Sequence, residues 1–397
     1  MKILFVETLY KGHHISLYAK KLIDKFTKKN QVYLLTSVKA SKSEEFKSIN
    51  NFKKKIEIVT IATHEDTKNK KDFSIFIYHF RNLCLVYKSA INIIKKEKID
   101  CVYFNHLDPY IFILSIFFFF NFKIKVFGLL LNIKFHQYFF NLRKKDYLDE
   151  IKLYLFKSFL RKKYIKKIFI VDPLFIKFLN FKEIKSNKII KINEAFNKTK
   201  NTNVIKKKYT KQKTILIYGS ISMRKNFKLL IDFLISSKLI NKFKLIIAGR
   251  FDDDCKKIIN ASKYRKIINK KRLIIKDYFI NFNEEKNLFK KTDLVWLCYK
   301  GGSDGSSGVL QMSIDNIKPV IYYNKGLINN ICQTHKLGFK IFFNKDQFSQ
   351  LGNFFSSKNL DHKIFQVKKN IKKYKRNIRK ELIFENKIYQ EIEKNNF

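Results

Sequence analysis

DLVWLCYKGGSDGSSGVLQMSIDNIKPVIYY, residues 293–323, decides how the chain is read. It opens on an apolar run, DLVWLC, that reads as a buried strand, and closes on another, PVIYY, after a helical stretch. Between them lies a turn that packs four of the chain's 11 glycines into eight residues. Gly and Ser clusters usually mark plain loops. Here the cluster joins a core strand to a helix. Small residues at such a turn let backbone N–H groups approach an anion closely, and the helix start adds its own free amides. Asp304, Gly305, Ser306, Ser307 and Gly308 form the centre of the turn. Ser306 or Ser307 also suits a plain helix N-cap. The two roles are compatible, because a capped helix keeps open amides.

Outward from this stretch the same alternation repeats. In the first half the expected strands are 2–7, 31–37, 56–62, 101–105, 123–131, 166–172 and 188–193. In the second half they are 214–220, 244–250, 272–277, 293–298, 319–323 and 339–343. Most are continuous and β-branched, as in parallel strands covered on both faces. Helical stretches such as 14–28 and 225–237 fill the gaps. Two successive runs of strand–helix units predict an α/β protein of two doubly wound, Rossmann-like parallel sheets. The first domain is expected over 1–196. Residues 197–213, polar and basic without periodicity, read as a linker. The second domain follows over 214–375. A last helix over 376–397 is expected to pack back on the first domain.

The totals agree with a globular chain. The 397 residues allow two cores, and 46% of them are hydrophobic. The net charge of +50 points at first to nucleic acid or an anionic membrane. However, Lys, Asn, Ile, Phe and Tyr are overused together, and the lysines are spread along the whole chain. That reads as compositional bias loading every solvated face, or as attraction to acidic partners such as nucleotide-sugars, lipid phosphates and membrane surfaces. It does not read as one nucleic-acid stripe, and no nucleic-acid partner is expected. The five cysteines, Cys84, Cys101, Cys255, Cys298 and Cys332, show no CxxC spacing. They suggest neither zinc nor a disulfide framework, and fit a reducing compartment. MKILFVETLY is charged too early for a signal peptide. The longest apolar run, 110–122, is shorter than the ~18–20 residues of a membrane span and reads as a buried helix. The expected location is cytoplasmic.

Three strand-to-helix turns carry the candidate chemistry, since open α/β sheets bind ligands there. In YKGHHIS, 10–16, Gly12 permits a tight turn into a helix. In YGSISMRKNFKLL, 218–230, the strand ends at Gly219, and Arg224 and Lys225 stand where the next helix begins. Cations oppose the dipole at that end, and a bound diphosphate would offset the cost. The third turn is the opening stretch. On the other domain, His106 in FNHLDPY is the leading acid–base candidate, with Asp108 placed to orient its ring. His13, His14 and His136 are rivals. The acids of 252–254 read as a loop and helix cap.

Taken in order, GSISMRKN, IIAGR, TDLVWLCY, GSSGVLQMSIDNIKPVI and GLINNICQTHKLGF, over 214 to about 340, resemble the GT-B retaining glycosyltransferases. The likeness is to a divergent branch. The family's E-x7-E turn here has Asp304 at the first position and Met312 at the second. The resemblance implies two domains facing a cleft and transfer of a sugar from a nucleotide-sugar donor to a glycan or lipid-linked acceptor. The setting would be surface polysaccharide, lipopolysaccharide or capsule synthesis. Transfer would proceed with retention and without metal or cofactor. The donor would lie on the second domain at Gly219, Arg224, Lys225, Asp304, Gly305, Ser306, Ser307 and Gly308, with Gly12 contributing from the first. The acceptor would lie on the first, near His106 and Asp108. The loss of a carboxylate at Met312 supports a different class, a non-catalytic module that binds sugar nucleotides or a partner transferase. Finally, Ile364, Val367, Ile371, Tyr374 and Ile378 recur at helical spacing among lysines and arginines. They make either a basic amphipathic helix in peripheral contact with an anionic membrane, or a surface helix with a narrow apolar seam.

Overall fold

In the computed structural model the described residues are 1–9, 14–43, 46, 49, 56–61, 72–116, 124–131, 133–193, 195, 212–269, 271–300, 307–342, 344–380 and 384–395. They form two compact units, 1–196 with 382–397, and 197–381.

The first unit is built on a seven-stranded sheet. Its strands are β1 (Lys2–Val6), β2 (Gln31–Ser37), β3 (Ile56–Ile61), β4 (Cys101–Phe104), β5 (Lys125–Leu130), β6 (Ile165–Ile170) and β7 (Ile189–Lys191). Their order is β3-β2-β1-β4-β5-β6-β7, and every pairing is parallel. The helices are α1 (Lys20–Phe26), α2 (Val38–Ser41), α3 (Asp72–Glu97), α4 (Ile111–Ile116), α5 (Leu148–Arg161) and α6 (Pro173–Phe181). Alternate strand residues feed opposite faces. Leu4, Val6, Val102, Phe104 and Val126 join one core. Ile3, Phe5, Cys101, Tyr103 and Phe127 join the other. Both faces are covered, which is why these strands read as unbroken apolar runs.

The second unit has a six-stranded parallel sheet. Its strands are β8 (Lys213–Tyr218), β9 (Phe243–Ala248), β10 (Leu273–Lys276), β11 (Leu294–Leu297), β12 (Val320–Tyr323) and β13 (Gly338–Ile341). Their order is β10-β9-β8-β11-β12-β13. The helices are α7 (Phe227–Ser236), α8 (Asp253–Ile259), α9 (Ser262–Asn269), α10 (Phe282–Lys291), α11 (Gly308–Asp315), α12 (Gly326–His335), α13 (Gln347–Phe355) and α14 (Leu360–Lys380). Asp252 caps α8 by accepting from Cys255 N at 2.9 Å, the role read for the acidic run. Trp296 is fully buried at the centre of one face, among Ile215, Leu245 and Ile321. Burying a side chain of this size contributes roughly 1.5–3 kcal/mol.

The helical pattern after 364 belongs to two helices, α14 and α15 (Phe384–Lys394). α15 belongs to the first unit. Its Phe384 packs on Tyr18 and its Tyr389 on Phe26, with ring centroids 5.4 and 4.9 Å apart. The apolar residues of α14 form a seam within the second unit, where Ile364, Val367 and Ile371 are buried. The apolar run at 110–122 is helical over α4, where Ile113 and Leu114 are buried, and its remainder lies outside the described residues. Among the described residues no helix is long and apolar enough to cross a membrane. The cysteines are free, and all but Cys84 are buried.

Each sheet has one point where the strand order reverses. In the first it lies between β1 and β4, and in the second between β8 and β11. At such a point the loops leaving adjacent strands turn to opposite faces and leave room for a ligand.

Candidate functional site

In the second unit β8 is followed by Gly219, whose φ of +93° suits glycine. A side chain there would meet Lys225 Nζ at 3.3 Å and Val309 of α11 at 3.6 Å. Gly249, after β9, has φ +136°, and an added Cβ would stand 2.0 Å from the Gly219 carbonyl oxygen. Two glycines thus let the β8 and β9 turns touch.

The sequence places Arg224 and Lys225 at the start of a helix. They occupy instead a separate 3-10 turn, Met223–Lys225, one residue ahead of α7. Asn226 divides the two elements in a left-handed conformation, φ 50°. The pair therefore does not sit on the α7 dipole. The strand β11 holds the turn: Trp296 Nε1 donates to the Lys225 carbonyl at 3.0 Å, and Lys300 N to the Arg224 carbonyl at 2.7 Å.

The two cations differ. Arg224 is exposed, with its guanidinium 4.8 Å above the Tyr299 ring. Lys225 is only 3% exposed. Its ammonium donates to the Tyr218 carbonyl and to Tyr299 Oη at 3.3 Å, and lies 5.0 Å from the same ring. Burial, with Arg224 adding to it, brings the Lys225 pKa down to about 7. Burial pushes the Tyr299 hydroxyl up to about 12, while Arg224 and a hydrogen bond with Ser307 oppose the shift. Ser307 is the N-cap of α11, accepting from Leu310 N at 3.3 Å.

Gly219, Arg224, Lys225, Ser307 and Gly308 are thus gathered where β8 and β11 part. Asp304, Gly305 and Ser306 lie outside the described residues, as do Gly12 and His13. Met312 is buried within α11. Tyr299, which joins both cations to the α11 cap, was missed in the sequence, because an aromatic closing an apolar strand reads as core. On the next loops Arg250 stands 5.9 Å from the Phe279 ring, and Phe279 and Tyr278 are exposed. Two cations, one exposed and one buried, beside the start of α11 can hold a dianion.

In the first unit His106 and Asp108 meet as the spacing suggested. His106 Nε2 is 3.3 Å from Asp108 Oδ2, and that carboxylate also accepts from Leu131 N at 3.0 Å, just past β5. Beside them is a polar row that local patterns do not show. The register that pairs Val6 with Leu35 and Phe104 brings Glu7, Thr36 and Asn105 side by side one step further on. Glu7 is buried and accepts from Asn105 Nδ2 at 2.5 Å and from Leu9 N at 2.8 Å. Burial raises its pKa, against the pull of Asn105 and His106. The Tyr103 and Thr36 hydroxyls, close by in the same strands, have no hydrogen-bond partner among the described residues.

The rival His136 is fully buried, 3.2 Å from Asp172 and ringed by Phe140, Phe175 and Phe178. Asp172 is the N-cap of α6. This pair fixes the start of a helix in an aromatic core. The side chain of His14 falls outside the described residues.

No family model matches the chain, and no curated protein matches it in sequence. Solved structures do match. The chain is similar to Anabaena Alr3699/HepE in complex with UDP and glucose, with a TM-score of 0.63 and 14% identity over 100% of this chain and 99% of that one. It is similar to WaaG, a glycosyltransferase involved in lipopolysaccharide biosynthesis, with a TM-score of 0.61 and 14% identity over 94% of each chain. A glycosyltransferase from Rickettsia africae ESF-5 gives 0.58 and 17% over 99% of each. At these identities the likeness concerns the fold, and the fold is that of the GT-B glycosyltransferases.

Proposed function

We propose that the chain is a glycosyltransferase that takes a sugar from a nucleotide-sugar donor. The observation that carries this reading is the convergence of Arg224, Lys225 and the capped start of α11 on Tyr299, at the switch point of the second sheet. In this reading Arg224 and Lys225 neutralise the diphosphate that leaves as the sugar is transferred. That work is electrostatic and needs no metal. Ser307 and Gly308, with Asp304, Gly305 and Ser306 before them, contact the donor. Gly219 leaves room for it, and Gly12 is the candidate donor contact of the first unit. His106, oriented by Asp108, serves the acceptor hydroxyl. The acceptor is a glycan or a lipid-linked saccharide of a surface polysaccharide. The bond from the sugar to the diphosphate breaks, a new one forms to the acceptor oxygen, and the anomeric configuration is retained. Because the HepE structures contain UDP or UDP-glucose, uridine nucleotides are the first to try.

A second reading has its own observation. Met312 is buried where the family resemblance puts a donor-binding carboxylate. This favours a module that binds a sugar nucleotide, or a partner transferase, without turning the sugar over.

The test is a thermal-shift series with UDP-, GDP-, ADP-, dTDP- and CMP-sugars. A ligand bound only by the folded state raises the melting temperature. The proposal expects a shift with one nucleotide that disappears in folded Arg224→Ala/Lys225→Ala protein. A shift that survives the double substitution would move the site elsewhere. A specific shift without release of nucleotide from the sugar, with or without saccharide acceptors, would favour the second reading.

A further inference from the structure

α14 has two unlike faces. Ile364, Val367 and Ile371 are buried within the second unit, where the helix packs on α11 and α12. On the opposite side Phe365, Lys369, Lys372, Lys373 and Arg376 are all exposed. At about 100° per residue these five fall within roughly 100° of arc, in a row about 16 Å long. Phe365 is 52% exposed and has the Lys369 ammonium 4.8 Å above its ring. Asp361 is the only acid of the helix, and it pairs with Lys213 at 2.6 Å. Lys375 is turned inward to Asp315. General lysine enrichment does not account for this. Helices α8 and α10 of the unit mix their charges, with Asp253 and Asp254 in the one and Glu284 and Glu285 in the other, and α9, whose charges are all basic, is only eight residues long.

We propose that this face docks the protein on an anionic phospholipid surface. A straight cationic row fits a charged plane, and lysine suits the purpose as a hydrated point charge that needs no particular partner geometry. Phe365, at the head of the row, adds an apolar side chain at the depth of the headgroups. The apolar seam of α14 is already occupied by the fold, so contact is by charge and one ring, without insertion of the helix. Each basic residue near such a surface strengthens binding roughly fivefold. This inference does not depend on sugar transfer.

The test is co-sedimentation of the full-length protein with phosphatidylcholine vesicles, with and without about a third phosphatidylglycerol, at low and high salt. Binding is expected to the anionic vesicles alone and to weaken in high salt. Lys369→Glu/Lys372→Glu/Lys373→Glu/Arg376→Glu should weaken it by at least roughly 100-fold. Lys242→Glu/Lys286→Glu/Lys290→Glu/Lys291→Glu lowers net charge equally and should weaken it far less. The single substitutions Lys372→Glu and Arg376→Glu, each expected to cost roughly fivefold or more, stand in if the first variant does not fold. Equal binding to neutral vesicles, full binding by the α14 variants, or an equal loss in the control variant would overturn the proposal. So would tighter binding of a short DNA duplex than of vesicles through the same residues.

Discussion

Lys225 is held where its charge is costly until an anion arrives. The sign follows from the depressed value. In the free protein the ammonium is half-titrated at about 7, against 10.5 for an ordinary lysine. Without ligand, folding stability should rise as pH climbs from about 7 toward 10.5, because the unfolded chain holds the proton more tightly. Lys225→Met should remove that slope in denaturant titrations at fixed pH. A bound diphosphate would favour the charged form. Donor affinity should therefore be flat below pH about 7 and fall above it, by up to about tenfold per pH unit. Calorimetry in buffers of different ionisation enthalpy should show proton uptake on nucleotide binding near pH 8. Affinity that rises with pH would contradict this placement of the ammonium. Tyr299 gives a second expectation. Tyr299→Phe keeps the ring under Arg224 and should weaken nucleotide binding only a few-fold. Tyr299→Ala removes both cation contacts, worth about 0.5–2 kcal/mol each, and should cost tenfold or more.

At the scale of the element, the turns after β8 and β9 depend on two glycines in contact. Gly249→Ala would place a methyl 2.0 Å from the Gly219 carbonyl oxygen at a φ of +136°. The expected loss is on the order of 3–5 kcal/mol, read as a lower denaturant midpoint. Gly352→Ala, on α13 with open space around the position, should leave it unchanged or higher. Most elements were legible in the sequence. Strands covered on both faces must be continuous apolar runs, and KLIIAGR or TILIYGS can hardly be anything else. The turn residues Gly219, Arg224, Lys225 and Ser307 were legible because their spacing from those strands places them at strand ends. What escaped depends on pairing across the chain. Glu7 looks in sequence like a charge interrupting an apolar start. Only the register of β1 with β2 and β4 sets it between Thr36 and Asn105. The 3-10 turn at 223–225 escaped because Asn226 in a left-handed conformation breaks a stretch whose composition is helical throughout.

For the whole molecule, the sequence suggests two units, from a polar stretch between two runs of strands, and a last helix that returns to the first; packing shows which residues make that return. Ile388 and Ile392 of α15 are fully buried in the first unit's core, beside Phe26 and Tyr18. Removal of residues 382–397 should expose that core. Hydrogen exchange should show lost protection in α1, β1 and β2, while β8, β9 and β11 of the second unit stay protected. Equal losses in both units would mean that they fold as one body.

The same helix sets an order of assembly during synthesis. Domains made by a ribosome commonly fold as they emerge, the earlier one first. Here the earlier unit waits for a helix translated after the entire later one. The nascent chain therefore carries the uncovered rings of Tyr18 and Phe26 while more than 180 residues of the second unit, 197–381, are still being made. A chain cut short just after residue 381 would have a second unit that is whole and a first unit that is still adhesive.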